Sequence, residues 1–126
     1  MIAACACGQL TAQASGDPLR AVVCHCHACR TRTGSAFSLN TRFASDAVTM
    51  QGTSKAFTRT GDEGSQITYH FCPDCGVTVW YLNDQIDGVM IPGGALAPAD
   101  LPAPTLSVYD VRRPDWLRLA GMDVMD

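Results

Sequence analysis

Phe71-Cys72-Pro73-Asp74-Cys75-Gly76 decides how this chain is read. Two thiols separated by two residues, with a glycine after the second, have the form of a metal knuckle. The glycine lets the backbone turn so that amide N–H groups face the sulfurs. One knuckle supplies two of the four thiolates of a closed tetrahedral site, so a partner pair must come from elsewhere. Cys5-Ala6-Cys7-Gly8 has the same thiol–thiol–glycine form at the other end of the chain. Joining the two pairs would tie the N-terminal segment to the strands that flank residue 73. In a small domain such a joint is a staple, because metal binding is coupled to folding.

The other three thiols lie in Cys24-His25-Cys26-His27-Ala28-Cys29. In an extended segment Cys24 and Cys26 point the same way, and a turn after His27 brings Cys29 to them. Three thiolates leave a tetrahedral ion one open position, the mark of a catalytic rather than a structural zinc. Water, a substrate thiol, His25, His27 or His70 are the candidates for that position. His25 lies between two ligands and is expected to project away from them. His27 is ambiguous, and His70, on the polar face of its strand, reads as structural or exposed. A set of three thiolates makes a poor acid of bound water and suits a soft sulfur ligand. A thiol bound there is deprotonated and nucleophilic at neutral pH.

The chain has 126 residues and a formal charge of −3. That length fits one domain, residues 1–126, with one modest core. The apolar content is ordinary for a globular protein. Seven thiolates on two divalent ions bring the formal charge to about −6, which argues against nucleic acid as a partner. Arg30, Arg32 and Arg42 read either as a local positive patch or as three solvated side chains. Met1 to Leu10 lacks the charged and apolar regions of a signal peptide, and no apolar run reaches membrane-spanning length. A cytosolic location is expected, where thiols stay reduced and cysteine clusters signal metal. An odd thiol count and pairs as close as Cys5 and Cys7 also fit a disulfide framework badly.

Glycines punctuate the chain, and the segments between them are rich in Val, Ile, Thr, Phe and Tyr, which favour strands. Strands are predicted near 9–14, 19–24, 36–42, 48–51, 54–60, 66–72, 77–82, 87–92 and 105–110. Ile67, Tyr69 and Phe71 alternate with Gln66, Thr68 and His70, a half-buried pattern. Val77, Val79 and Tyr81 alternate with Thr78, Trp80 and Leu82, a strand with both faces occupied. Helical turns are predicted at His27 to Thr33, ended by Gly34, at Ala44 to Ala47, and at Pro114 to Leu119. The fold class is all-β: a small, loop-rich domain held by metal.

Four blocks together carry a family resemblance: Cys5-Ala6-Cys7-Gly8; Cys24-His25-Cys26 running to Cys29-Arg30; Thr33-Gly34-Ser35-Ala36-Phe37; and Phe71 to Gly76. The chain resembles the glutathione-dependent formaldehyde-activating enzyme family, also called the centromere protein V family. The likeness runs from Cys5 to about Trp116, and Val108 to Leu117 is similar to the family's closing motif. The resemblance implies an Mss4-like β-tent of small antiparallel sheets. It implies a structural zinc on Cys5, Cys7, Cys72 and Cys75, and a second, more labile zinc on Cys24, Cys26 and Cys29. It also implies a carbon–sulfur lyase that handles the adduct of glutathione and formaldehyde. The chain looks shorter than the namesake enzyme.

The expected partners are therefore a small-molecule thiol and an aldehyde, with no nucleic acid and no membrane. Arg30 follows the last ligand and is a candidate for a substrate carboxylate, against the alternative of a surface ion pair. Ser35 and Thr33 are candidates for hydrogen bonds to substrate, against a simple turn. Phe37 and Trp80 either wall a pocket or belong to the core, and Trp116 is expected to cap the sheet. A non-catalytic zinc module that docks on a protein partner is the competing reading. An open coordination position favours the enzyme, and a fourth protein ligand favours the module.

Overall fold

The computed structural model describes residues 1–126. The chain forms β1 (Ile2–Ala4), β2 (Thr11–Ala14), β3 (Arg20–Cys24), helix α1 (His27–Thr33), β4 (Ser38–Phe43), β5 (Val48–Gln51) and β6 (Lys55–Thr60). It continues with β7 (Gln66–Phe71), β8 (Thr78–Asn83), β9 (Ile86–Pro92), β10 (Leu106–Val108) and β11 (Asp123–Val124). The nine strands predicted from the sequence are all present, and α1 occupies its predicted residues. The terminal strands β1 and β11 carry too few residues for a periodic signal.

The strands make two sheets. One has the order β1-β2-β5, and the other has the order β11-β10-β3-β4-β9-β8-β7-β6. Pairing is antiparallel except at β10, which runs parallel to both β3 and β11. The antiparallel sheets implied by the family resemblance are present, with these two parallel pairings added at one edge. The long irregular stretch after Pro92 returns the chain to the edge of β3 in the same direction, as a parallel pairing requires.

Successive side chains along a strand face opposite sides of a sheet. On one side of the large sheet, Phe43, Val89 and Ile91 pack with Leu96 against Ala3, Ala12 and Ala14 of the small sheet and against Leu10 just before β2. The alanines of β1 and β2 leave room for Phe43, which is almost wholly buried. A register shift between β7 and β8 at His70 and Phe71 breaks the alternation. Val79 and Trp80 therefore both enter the core, while Tyr81 turns to the other side, as a bulge allows. His70 stacks on Trp80 with ring centroids 4.8 Å apart. Trp80 is thus a core residue and not a pocket wall.

Two expectations fail near the C-terminus. Pro114 to Leu119 makes one turn, closed by the Leu117 N–H on the Pro114 carbonyl at 3.0 Å, and no helix. The segment buries no apolar stripe, and a short helix does not persist without one. Trp116 is 76% exposed and caps nothing.

Candidate metal centre and cavity

The two cysteine pairs at 5–7 and 72–75 converge. All four sulfurs lie within 4.8 Å of one another, with Cys5 to Cys7 at 3.6 Å and Cys7 to Cys72 at 3.7 Å. Zinc–sulfur bonds of about 2.3 Å in a tetrahedron set the sulfurs about 3.8 Å apart, so this donor set fits zinc. The two loops are built alike. The Cys5 N–H donates to the Leu10 carbonyl and the Cys72 N–H to the Val77 carbonyl, both at 3.0 Å. The Leu10 N–H points at the Cys5 sulfur at 3.3 Å. Gln9 spans the joint: its Nε2 donates to the Cys72 sulfur at 3.0 Å and to the Thr53 carbonyl at 2.7 Å. Burial pushes the Cys72 thiol up, but the Gln9 amide and the N–H groups of Cys75 and Asp74 outweigh it and bring it down to about 6.

Cys24, Cys26 and Cys29 form the second group, all three buried and with sulfurs within 4.8 Å of one another. Cys24 ends β3, and Cys26 is the N-cap of α1, its sulfur accepting from the Cys29 N–H at 3.3 Å. Hydrogen bonds from the Cys24 and Cys29 thiols hold the Cys26 thiol far below its ordinary range. The same contact with Cys26, joined by Cys29 and by burial, pushes Cys24 far up. A metal ion held here by Cys24, Cys26 and Cys29 would take the place of the protons on these crowded thiols.

No histidine joins these sulfurs. His25 points away from them, as its place between two ligands predicted. It is fully buried, with Nε2 3.0 Å from the Ser107 hydroxyl, which donates to Asp110 at 2.8 Å. Burial lowers the His25 pKa. His27 is exposed on the first residue of α1.

A chain of hydrogen bonds backs the cluster. Arg32 Nη2 donates to Asn40 Oδ1 at 3.3 Å, and Asn40 Nδ2 donates to the Ser38 hydroxyl at 2.7 Å. Ser38 is buried directly opposite Cys24 across β3 and β4.

The three sulfurs open on a cavity of about 540 Å³ that covers the side of the large sheet away from the core. This volume is in the range of small-molecule sites. Strand register brings Arg20, Val22 and Cys24 of β3 to it, with Asn40 and Arg42 of β4, Arg59 of β6, Tyr69 of β7, Tyr81 of β8 and Val108 of β10. Arg30 does not line it: the side chain is exposed. Arg32 does, because three residues along a helix return to the face of Cys29 while one residue turns about 100° away. Ser35 is also outside, exposed in the turn after Gly34, with its hydroxyl accepting from the Phe37 N–H at 3.4 Å. Thr33 donates to the Cys29 carbonyl at 2.8 Å and, with Phe37, borders a separate cleft. Sequence reasoning missed Arg59, Tyr69 and Tyr81. Helical spacing from Cys29 was the available signal for Arg32.

The family described as glutathione-dependent formaldehyde-activating enzyme matches residues 1–112. No curated protein matches the chain. Among solved structures, a crystal structure of a Rhodobacter sphaeroides protein, a structural-genomics target, is similar at a TM-score of 0.58 and 20% identity. The likeness covers 82% of this chain and 97% of that one, and it bears on the fold alone.

Proposed function

Because the chain belongs to the glutathione-dependent formaldehyde-activating enzyme family, we propose that it is a zinc-dependent carbon–sulfur lyase acting on a thiol–aldehyde adduct such as S-hydroxymethylglutathione. One observation carries the reading: Cys24, Cys26 and Cys29 form a three-sulfur donor set in the wall of a ligand-sized cavity. The four sulfurs of Cys5, Cys7, Cys72 and Cys75 make a complete tetrahedral set and act as the structural site.

Cys24, Cys26 and Cys29 would hold the zinc, which would supply Lewis-acid charge and favour the ionised form of a soft sulfur. In the forward direction the thiol sulfur forms a bond to the aldehyde carbon. The carbonyl π pair moves to oxygen, which takes the proton that the thiol gave up. The reverse step breaks the same carbon–sulfur bond, and neither direction needs an oxidant or a reductant. The protein's own groups suit this chemistry. Burial keeps the Tyr81 phenol protonated, a hydrogen-bond donor facing the cavity. Tyr69 accepts from Arg59 Nε at 2.7 Å, which leaves its own O–H free to donate. Val22, Met90, Leu106 and Val108 give the cavity apolar walls that exclude water from the reacting atoms.

The test compares adduct formation and cleavage by exchange NMR with and without zinc-loaded protein. The expected result is a rate above the spontaneous one, lost in Cys26→Ser together with one of two zinc ions. Addition that stays above the spontaneous rate in Cys26→Ser, with the second metal gone, overturns the proposal.

A further inference from the structure

β6 is an outer strand of the large sheet, and five of its six residues are exposed. Its pairing with β7 runs from Lys55 opposite Phe71 to Thr60 opposite Gln66 without a register shift. Directly opposite residues of an antiparallel pair alternate between exchanging both backbone hydrogen bonds and exchanging none. Gly61, next in register, donates to the Ser65 carbonyl at 2.7 Å, and the Gln66 carbonyl is taken by Asp84, just past β8, at 3.1 Å. Lys55, Phe57 and Arg59 therefore bond to β7, whereas Ala56, Thr58 and Thr60 turn their N–H and C=O groups outward. No turn, loop or cap bonds these outward groups.

Proteins commonly blunt such an edge with proline, a bulge or a very short strand. β6 has six residues, an unbroken register and no proline. Its lysine, Lys55, stands at the end of the strand and makes no ion pair. Phe57 is 61% exposed. It shares a face with Arg59 and lies directly opposite Tyr69, which accepts from Arg59 at 2.7 Å.

Two copies of this strand are self-complementary when they run antiparallel about Thr58. Thr58 then faces its own copy and Ala56 faces Thr60 of the second copy, so the outward groups of all three residues are paired. Phe57 falls opposite Arg59 of the second copy, where an aromatic ring and a guanidinium attract. Lys55 falls opposite Gly61, which has no side chain, and beside Asp62 and Glu63. Each of these acids makes one hydrogen bond within its own chain, to Arg112 and Tyr109, and a carboxylate has further acceptor sites for a lysine. The neighbouring registers are worse. Centring on Phe57 sets Lys55 opposite Arg59, and centring on Arg59 sets that arginine opposite itself, and like charges directly opposite destabilise a pair.

We propose that this edge is where two copies of the chain associate, their β6 strands pairing antiparallel about Thr58 so that the large sheet continues across a two-fold axis. The pairing is closed, because both copies use the same edge. The second copy brings its Phe57 beside the Arg59–Tyr69 pair, at the margin of the cavity. The association goes beyond the lyase reading and does not depend on it.

Sedimentation of the zinc-loaded protein over a range of concentrations, with amide hydrogen exchange at both ends of that range, tests the proposal. A monomer–dimer equilibrium is expected. The amides of Ala56, Thr58 and Thr60 are expected to exchange at least about 10-fold more slowly at the dimeric end, and those of Phe57 and Arg59, already bonded to β7, to change less. Thr58→Pro removes an outward donor without taking a bond from β7. It is expected to weaken association at least about 10-fold, with zinc content and far-ultraviolet spectrum unchanged. Lys55→Glu, which sets like charges together at both ends of the pairing, is expected to weaken it about 3- to 10-fold. A chain that stays monomeric at about 1 mM overturns the proposal and leaves the edge for a strand of another protein. A dimer in which the amides of Ala56, Thr58 and Thr60 exchange as fast as in the monomer also overturns it, and that result needs no variant to fold. Assemblies that keep growing beyond two copies rule out the closed pairing.

Discussion

Asn40 donates to the Ser38 hydroxyl at 2.7 Å and accepts from the Arg32 guanidinium at 3.3 Å, and Ser38 stands directly opposite Cys24 across β3 and β4. Each donor in this series points away from Arg32, so the series carries positive polarity toward the end of β3 that bears Cys24. Groups behind a metal ligand commonly control affinity about 10- to 100-fold. Ser38→Ala is expected to weaken zinc at the second site by about that factor while the first site is unaffected. Competition with a chromophoric chelator measures both affinities. Unchanged release from the second site would show that Ser38 only fills space between β3 and β4.

The two sites should also part company under chelation. Four sulfurs converge at the first site, whereas three converge at the second, in the wall of a cavity. A mild chelator is expected to remove one zinc per chain with the far-ultraviolet spectrum unchanged. Removing the remaining zinc is expected to unfold the chain, because Cys5 and Cys72 sit in the core and metal binding there is coupled to folding. Simultaneous loss of both ions would contradict this order.

Gln9 reaches across 44 and 63 positions of sequence to Thr53 and Cys72, and Thr53 returns its N–H to Gln9 Oε1 at 2.9 Å. Gln9→Ala strands those partners and is expected to cost about 1–3 kcal/mol. Urea unfolding of the zinc-loaded protein reads the change. A loss below about 0.5 kcal/mol, the range of ordinary surface changes, would mean that water replaces the amide.

Gly88 has φ +101, and a Cβ there would collide with the Phe43 carbonyl oxygen. The clash falls where β4 meets β9, in the middle of the large sheet. Gly88→Ala combines strain at positive φ with displacement of a core strand, and about 2–4 kcal/mol is expected. A thermal melt within about 2 °C of the parent would refute it.

Much of this was legible before any coordinates. The cysteine spacing gave the four-and-three division, because short thiol pairs can present their sulfurs only locally. The alternation of Ile67 and Tyr69 with Gln66 and Thr68 gave the half-buried strand. The cavity was not legible. Its arginines come from β3, α1, β4 and β6, and what unites them is strand register and the turn of one helix, neither of which a single segment encodes. Arg30 drew attention because it adjoins Cys29, but adjacency on a helix means pointing elsewhere. Trp116 was expected to pack because large aromatics usually do, yet the segment around it offers no apolar surface to cover.

The two cysteine groups differ in one further respect, their reach along the chain. Cys26 and Cys29 are three positions apart and meet within one turn, whereas Cys7 and Cys72 are 65 positions apart. On a chain leaving the ribosome, the central group is ready to gather metal while most of the β-structure is still unsynthesised. The four-sulfur group can close only after Cys75 has emerged. The ion acquired first would thus be the one held by fewer ligands, and an ion held by four thiolates would be acquired last. In a cell short of metal, nascent chains with a loaded cavity and an open staple would accumulate, and these are the chains exposed to proteolysis.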